Sequence, residues 1–225
     1  MRRPVIAVRP EPGLAATLAL AREMGVEAHG TPLFEIRPCA WTAPDPATID
    51  ALLVGSANAF AHGGAALARF ADKPVHAVGE KTAGAARAAG FAVRTIGTKG
   101  LQSVLEGIAA PTRLLRIAGA KHVPLDPRPG VEIETVIAYE SAAIPMPTCL
   151  GERLLGGGLV LLHSGAAARH FAAECERLDL ARTDIALAAL APRIAEAAGG
   201  GWRAVRVAPE PSDAALLQLV RDMVA

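Results

Sequence analysis

Small, hydroxyl-bearing and charged residues gather at six points of the sequence, each directly after a short apolar run: RPEPG (9–13), GSAN (55–58), GEKT (79–82), GTKG (97–100), HSGA (163–166) and PEPSD (209–213). Alanine-rich sequence with helical spacing follows most of them. A strand that passes into a helix leaves unpaired N–H groups and the positive end of the helix dipole at the turn, which suits a carboxylate or a phosphate. Lys81 and Thr82 resemble the end of a nucleotide-phosphate loop, but Gly79 follows "VHAV" directly, so the long glycine cradle is missing and ATP is not indicated. Two readings of GEKT stay open: an anion on the first turn of the helix, or Thr82 capping its own helix.

The elements that position these turns alternate. Strands are predicted at 5–8, 27–31, 51–54, 75–78, 93–96, 113–117, 132–137, 159–162, 185–188 and 204–207, with helices between most of them. That order specifies an α/β protein with parallel sheets wrapped by helices. Ten strands are many for one open sheet in 225 residues, so two five-stranded layers are expected.

The sequence also repeats. "LLVGSANAFAHGGAALARF" (52–70) is similar to "LLHSGAAARHFAAECERL" (161–178), about half the chain later. A second echo links residues 5–36 to residues 114–141, but it precedes its block in one case and follows it in the other. The simplest architecture starts in one domain, builds the second entirely, and returns to finish the first. The crossing segments, "LFEIRP" (33–38) and "AYESAAIP" (138–145), are extended and end in proline, as a two-stranded connector would be. In parallel sheets ligands bind outside the carboxyl ends of the strands, so two such domains facing each other would bring the six turns to one polyanion-binding cleft.

Composition narrows the ligand. Lys plus Arg (23) nearly balance Asp plus Glu (22), with no basic tail, so nucleic-acid binding is not indicated. Cys39, Cys149 and Cys175 show neither a disulfide framework nor zinc spacing. The opening "MRRPVIAVRPEPG" has too short an apolar run for a signal peptide and no stretch is long enough to span a membrane, so a soluble cytoplasmic protein is expected. A monomer is expected too, because duplicated domains already supply a two-sided site.

Six stretches together carry a family resemblance: "VRPEPG", "LLVGSANAF", "AVGEKTAGAARAAGF", "VIAYES", "LLHSGAAARHF" and "VAPEPSDAALLQLV". In order and spacing, over nearly the whole chain, they resemble uroporphyrinogen-III synthases. The resemblance implies two flavodoxin-like parallel-sheet domains joined by a two-stranded β connector. One domain would be discontinuous (1–34 plus 146–225), the other would span 40–137, and 35–39 with 138–145 would connect them. It also implies a cofactor-independent lyase that closes the linear tetrapyrrole hydroxymethylbilane to uroporphyrinogen III, inverting the terminal pyrrole ring and losing water. An azafulvene-like cation and a spiro intermediate would lie on the path, so positioning matters more than a strong acid.

Carried over residue by residue, the resemblance makes Tyr139, the one tyrosine, a proton donor to the leaving hydroxyl. Packing with its hydroxyl on a backbone carbonyl is the competing reading. It makes Ser56, Asn58, Gly79, Thr82 and Ser164 carboxylate contacts, with Arg9 as a charged anchor or a surface ion pair. Ala191 and Ile194 stand where the family carries glycine and threonine, which leaves Arg193 as a substitute carboxylate partner. The stretch 116–130 contains three prolines and leaves little room for a helix, so Lys121 and His122 either approach the ligand or belong to a surface loop. The alternative function is a non-catalytic binding or sensor protein for a tetrapyrrole or another polycarboxylate.

Overall fold

A computed structural model describes residues 3–224. Its eleven strands are β1 (Val5–Ala7), β2 (Ala28–Gly30), β3 (Phe34–Pro38), β4 (Ala51–Val54), β5 (Val75–Val78), β6 (Val93–Gly97), β7 (Thr112–Gly119), β8 (Val131–Ala143), β9 (Gly158–Leu162), β10 (Ile185–Ala189) and β11 (Ala204–Val207). They form a five-stranded sheet in the order β11-β10-β9-β1-β2 and a six-stranded sheet in the order β3-β8-β7-β4-β5-β6. The chain divides into two compact units, Met1–Glu35 with Ala142–Ala225, and Ile36–Ser141.

The first unit's strands pair in parallel throughout, and their order follows the chain as 2-1-3-4-5. Alternate side chains supply its two cores. Ile6, Val160, Leu162 and Leu187 pack on one face under the helix Gly165–Arg177. Val5, Leu159, Leu161 and Ala186 pack on the other under the helix Asp213–Val224. A strand buried on both faces reads as a continuous apolar run, which is why "GLVLL" and "IALAA" are legible as central strands.

The second unit obeys the same rule. Leu52, Val54, Leu115 and Ile117 face one core, while Ala51, Leu53 and Leu114 face the other with Val104 and Leu105. Strands β4 to β8 follow the order 3-2-1-4-5, and β3 adds a sixth. The expected second layer of five strands is thus a sheet of six, because Phe34–Pro38, expected as one strand of a two-stranded connector, lies beside the thirteen-residue β8 and continues the second sheet. Cys39 N–H donates to the Ala138 carbonyl at 2.8 Å beyond the strand's end.

One crossover departs from the pattern. Parallel strands are usually joined through a helix, yet β7 and β8 are parallel partners and no helix lies in residues 120–130. Pro124, Pro127 and Pro129 remove donors and clash with helical turns there. No helix among the described residues is long and apolar enough to cross a membrane.

Candidate functional site

In a doubly wound sheet a crevice opens at the carboxyl edge where the strand order reverses. In the second unit that point lies between β4 and β7, and a cavity of about 500 Å³ occupies it. Gly55 and Ser56 follow β4 on one side, and Ile117, Ala118 and Gly119 end β7 on the other. The helix-free 120–130 segment supplies a wall through Lys121, His122 and Leu125. A helix there would cover this opening, so the three prolines and the cavity are connected.

Tyr139 lies in the wall. It pairs with Gly119 where the β7–β8 register shifts, and a Cβ at position 119 would come within 2.7 Å of the ring's Cε2. The tyrosine therefore lies flat on a glycine that only the absence of a side chain permits. Its other ring neighbour is His62, with centroids 6.5 Å apart.

Ser56 also lies in the wall, two residues before the helix Asn58–His62, and its Oγ accepts the Asn58 N–H at 3.3 Å. The basic residues Lys99, Arg116, Lys121 and His122 surround this space, and no Asp or Glu lines it among the described residues. His122 Nδ1 lies 2.9 Å from the Gly119 carbonyl.

Asn58, Gly79 and Thr82 sit at the same carboxyl edge but outside that wall. Gly79 has φ 76° and precedes the helix Glu80–Ala88 with no side-chain capping bond, so Thr82 does not cap its helix. Thr82 is instead 5% exposed, one turn inside. Of the second-unit candidates the structure gathers Ser56 and Tyr139 and leaves the other three apart.

The first unit reverses its strand order between β1 and β9, and a network of charged and polar side chains lies there. Arg9 Nη1 lies 2.9 Å from Asp213 Oδ2 and 3.1 Å from Thr17 Oγ1, and the Thr17 hydroxyl is 2.9 Å from the same carboxylate. The surface ion pair read as one option for Arg9 is therefore formed. His163 follows β9 with its side chain 6% exposed and Nε2 3.4 Å from Asp213 Oδ1, a long and weak contact. Burial first, then the Arg9 charge, push its pKa down to about 4, against a smaller opposing pull from Asp213. It is a neutral imidazole near pH 7.

Ser164 is the N-cap of the helix Gly165–Arg177, its Oγ accepting the Ala167 N–H at 3.1 Å. Arg193 is exposed on the short helix Pro192–Ala197. Cys175 is buried in the core, where desolvation raises its thiol to about 12. Among the described residues no group of three His, Cys, Asp or Glu side chains is placed to hold a metal ion.

A family model described as uroporphyrinogen-III synthase HemD matches residues 15–218. The chain belongs to the uroporphyrinogen-III synthase family. Its members are cofactor-independent lyases of haem biosynthesis, which makes the cavity beside Tyr139 a candidate active site. Among solved structures, uroporphyrinogen-III synthetase from Helicobacter pylori superposes with TM-score 0.67 at 17% identity, covering 98% of this chain and 99% of that one. A mutant uroporphyrinogen III synthase from the extremely thermophilic bacterium Thermus thermophilus gives TM-score 0.45 at 17% identity, covering 97% and 98%. No curated protein matches the sequence. At such identity the Helicobacter structure supports the fold, and the family model carries the membership.

Three residues that matter here escaped the sequence reading. Asp213 was seen only as part of a turn, although a carboxylate at the start of a helix is a recognisable signal. Gly119 closes "RIAG" without any motif of its own. Arg116, two residues before the strand's last alanine, reads in one dimension as an ordinary solvent-facing strand position.

Proposed function

We propose that this chain closes hydroxymethylbilane to uroporphyrinogen III, and that the cavity of the second unit holds the part of the substrate that reacts. The observation that supports this most is the meeting of Tyr139 and Ser56 at the β4/β7 reversal, in a wall with four basic and no acidic side chains. The tyrosine hydroxyl orients the departing hydroxyl and donates toward it as water leaves. The small residues of β4 and β7 let the chain ends approach each other, and shape rather than acid strength selects the inverted closure. Ser56 accepts or donates to a carboxylate, while Asn58, Gly79 and Thr82 contribute N–H groups and hydroxyls at the same edge.

Ser164, Arg9 and Arg193 of the first unit are proposed as further carboxylate contacts. Arg9 acts there as part of a neutralised pair with Asp213 and contributes less than a free guanidinium would. The protein is proposed to act as a cytoplasmic monomer, which a stable dimer in sedimentation would contradict.

The test is Tyr139→Phe. The phenyl ring still covers Gly119, so melting behaviour stays near wild type while turnover of hydroxymethylbilane falls roughly ten- to a hundredfold, the span of a lost orienting and proton-donating group. Unchanged turnover removes the tyrosine from the mechanism.

A further inference from the structure

Arg116 occupies a core position. Side chains along β7 alternate between the faces of the sheet, so Arg116 shares a face with Leu114 and lies opposite Leu53 of β4, where Val104 and Leu105 pack. It is 5% exposed. Its Nη2 donates to the Val123 carbonyl at 2.8 Å, but Nε has no partner, and no carboxylate pairs with the guanidinium among the described residues.

A buried cation without an anion is unfavourable, and a guanidinium does not escape by losing its proton. Burial lowers the Arg116 pKa from its ordinary value, and the neighbouring Tyr139 phenol opposes that. The other charges around the cavity deepen the mismatch, since Lys99 and Lys121 are cations and His122 is a base. The β7–β8 crossover adds no acidic side chain to the wall: its lining residues run from Lys121 to Leu125 and stop before Asp126. The site is thus short of negative charge at one defined point, and that point lies next to Tyr139.

We propose that Arg116 binds a carboxylate of the tetrapyrrole inside this cavity, so that its missing counter-ion is the substrate. The inference rests on the synthase reading and adds a specific anchor to it. An acetate or propionate held by the guanidinium fixes its pyrrole ring against the Tyr139 phenol. A planar donor fork suits this task better than a lysine ammonium, because both carboxylate oxygens can be engaged at once. Arg116 shares its face of the sheet with the apolar layer and is itself among the residues that line the cavity.

The test compares Arg116→Met, which keeps the stem's bulk, with Arg116→Lys, which keeps the charge. Loss of a charge-assisted hydrogen bond to substrate raises KM for hydroxymethylbilane by about ten- to a hundredfold in the methionine variant, with a much smaller change in kcat. The lysine variant recovers part of that loss. In parallel, binding of uroporphyrin I, an octacarboxylate, is followed by tryptophan fluorescence, and its affinity falls by a similar factor in Arg116→Met. An unchanged KM, or a loss that lysine does not partly restore, overturns the assignment. The two levels separate cleanly: wild-type chain that makes no type III product refutes the synthase reading, whereas equal uroporphyrin affinity in wild type and Arg116→Met refutes the anchor.

Discussion

Acid should destabilise this protein through His163, and the structure sets the size of the effect. The imidazole sits at the end of β9, faced by the Arg9 guanidinium and the Asp213 carboxylate, with only a long 3.4 Å approach of Nε2 to Asp213 Oδ1. Its pKa is about 4 in the fold against an ordinary 6.5. Because the folded value is the lower one, the unfolded chain binds the proton more tightly. Stability is complete above pH 6.5 and is lost as the pH falls toward 4.

One pKa step corresponds to about 1.4 kcal/mol, so the full gap amounts to roughly 3 kcal/mol, of which about 2–3 kcal/mol is lost by pH 4.5 because that pH has not yet passed the folded value. The perturbation is His163→Phe, which fills the space without titrating. Urea unfolding of both proteins at pH 7.5 and pH 4.5 gives two stability differences. Groups common to both proteins cancel between them. The wild type is expected to lose about 2–3 kcal/mol more than the variant over that interval. Parallel losses would refute the assignment of the proton to His163.

Three further outcomes follow from the geometry. Glu174→Gln weakens the clasp on the segment that returns from β8, because the carboxylate accepts the Met146 N–H at 2.5 Å and two Arg177 N–H groups. Hydrogen exchange should show earlier opening near Met146 and a global loss of about 1–3 kcal/mol. The Arg177 hydrogen bond, foremost, holds the Glu174 pKa below its usual range, so this contribution is present at neutral pH and disappears as acid titrates the carboxylate in the fold. Gly119→Ala forces the Tyr139 ring aside and should lower kcat about ten- to a hundredfold with a modest stability change, read by steady-state kinetics beside a melt. Ser164→Ala removes the N-cap of Gly165–Arg177 and should reduce unfolding free energy by about 1 kcal/mol in urea titration.

How much was legible depended on whether the signal was local. Ala51–Val54, Val75–Val78 and Ala204–Val207 have the ends that their Val, Leu and Ala runs and flanking glycine or proline imply. The pairing of Phe34–Pro38 with the strand that returns a hundred residues later was expected from two extended segments that both end in proline, but nothing local in either segment says that the pair continues the second sheet. Thr82 was offered as a cap, since a hydroxyl at a helix start usually is one, but Gly79 at positive φ begins that helix three residues earlier.

Tyr139 and Ser56 were found through the resemblance and do stand in one wall. Arg116 was missed for a different reason. Its significance lies in the face of the sheet it occupies and in the absence of a counter-ion, and both are properties of packing. The prolines of the β7–β8 crossover were the one sequence signal pointing there, because a crossover without a helix leaves that edge of the sheet open.

The central claim is that this fold directs ring closure of hydroxymethylbilane. The most direct measurement gives the purified chain freshly generated hydroxymethylbilane, oxidises the products to porphyrins, and separates the type I and type III isomers. Predominantly type III product is the expected result, since spontaneous closure does not invert the terminal ring. Type I product alone, formed at the rate seen without protein, would contradict the account.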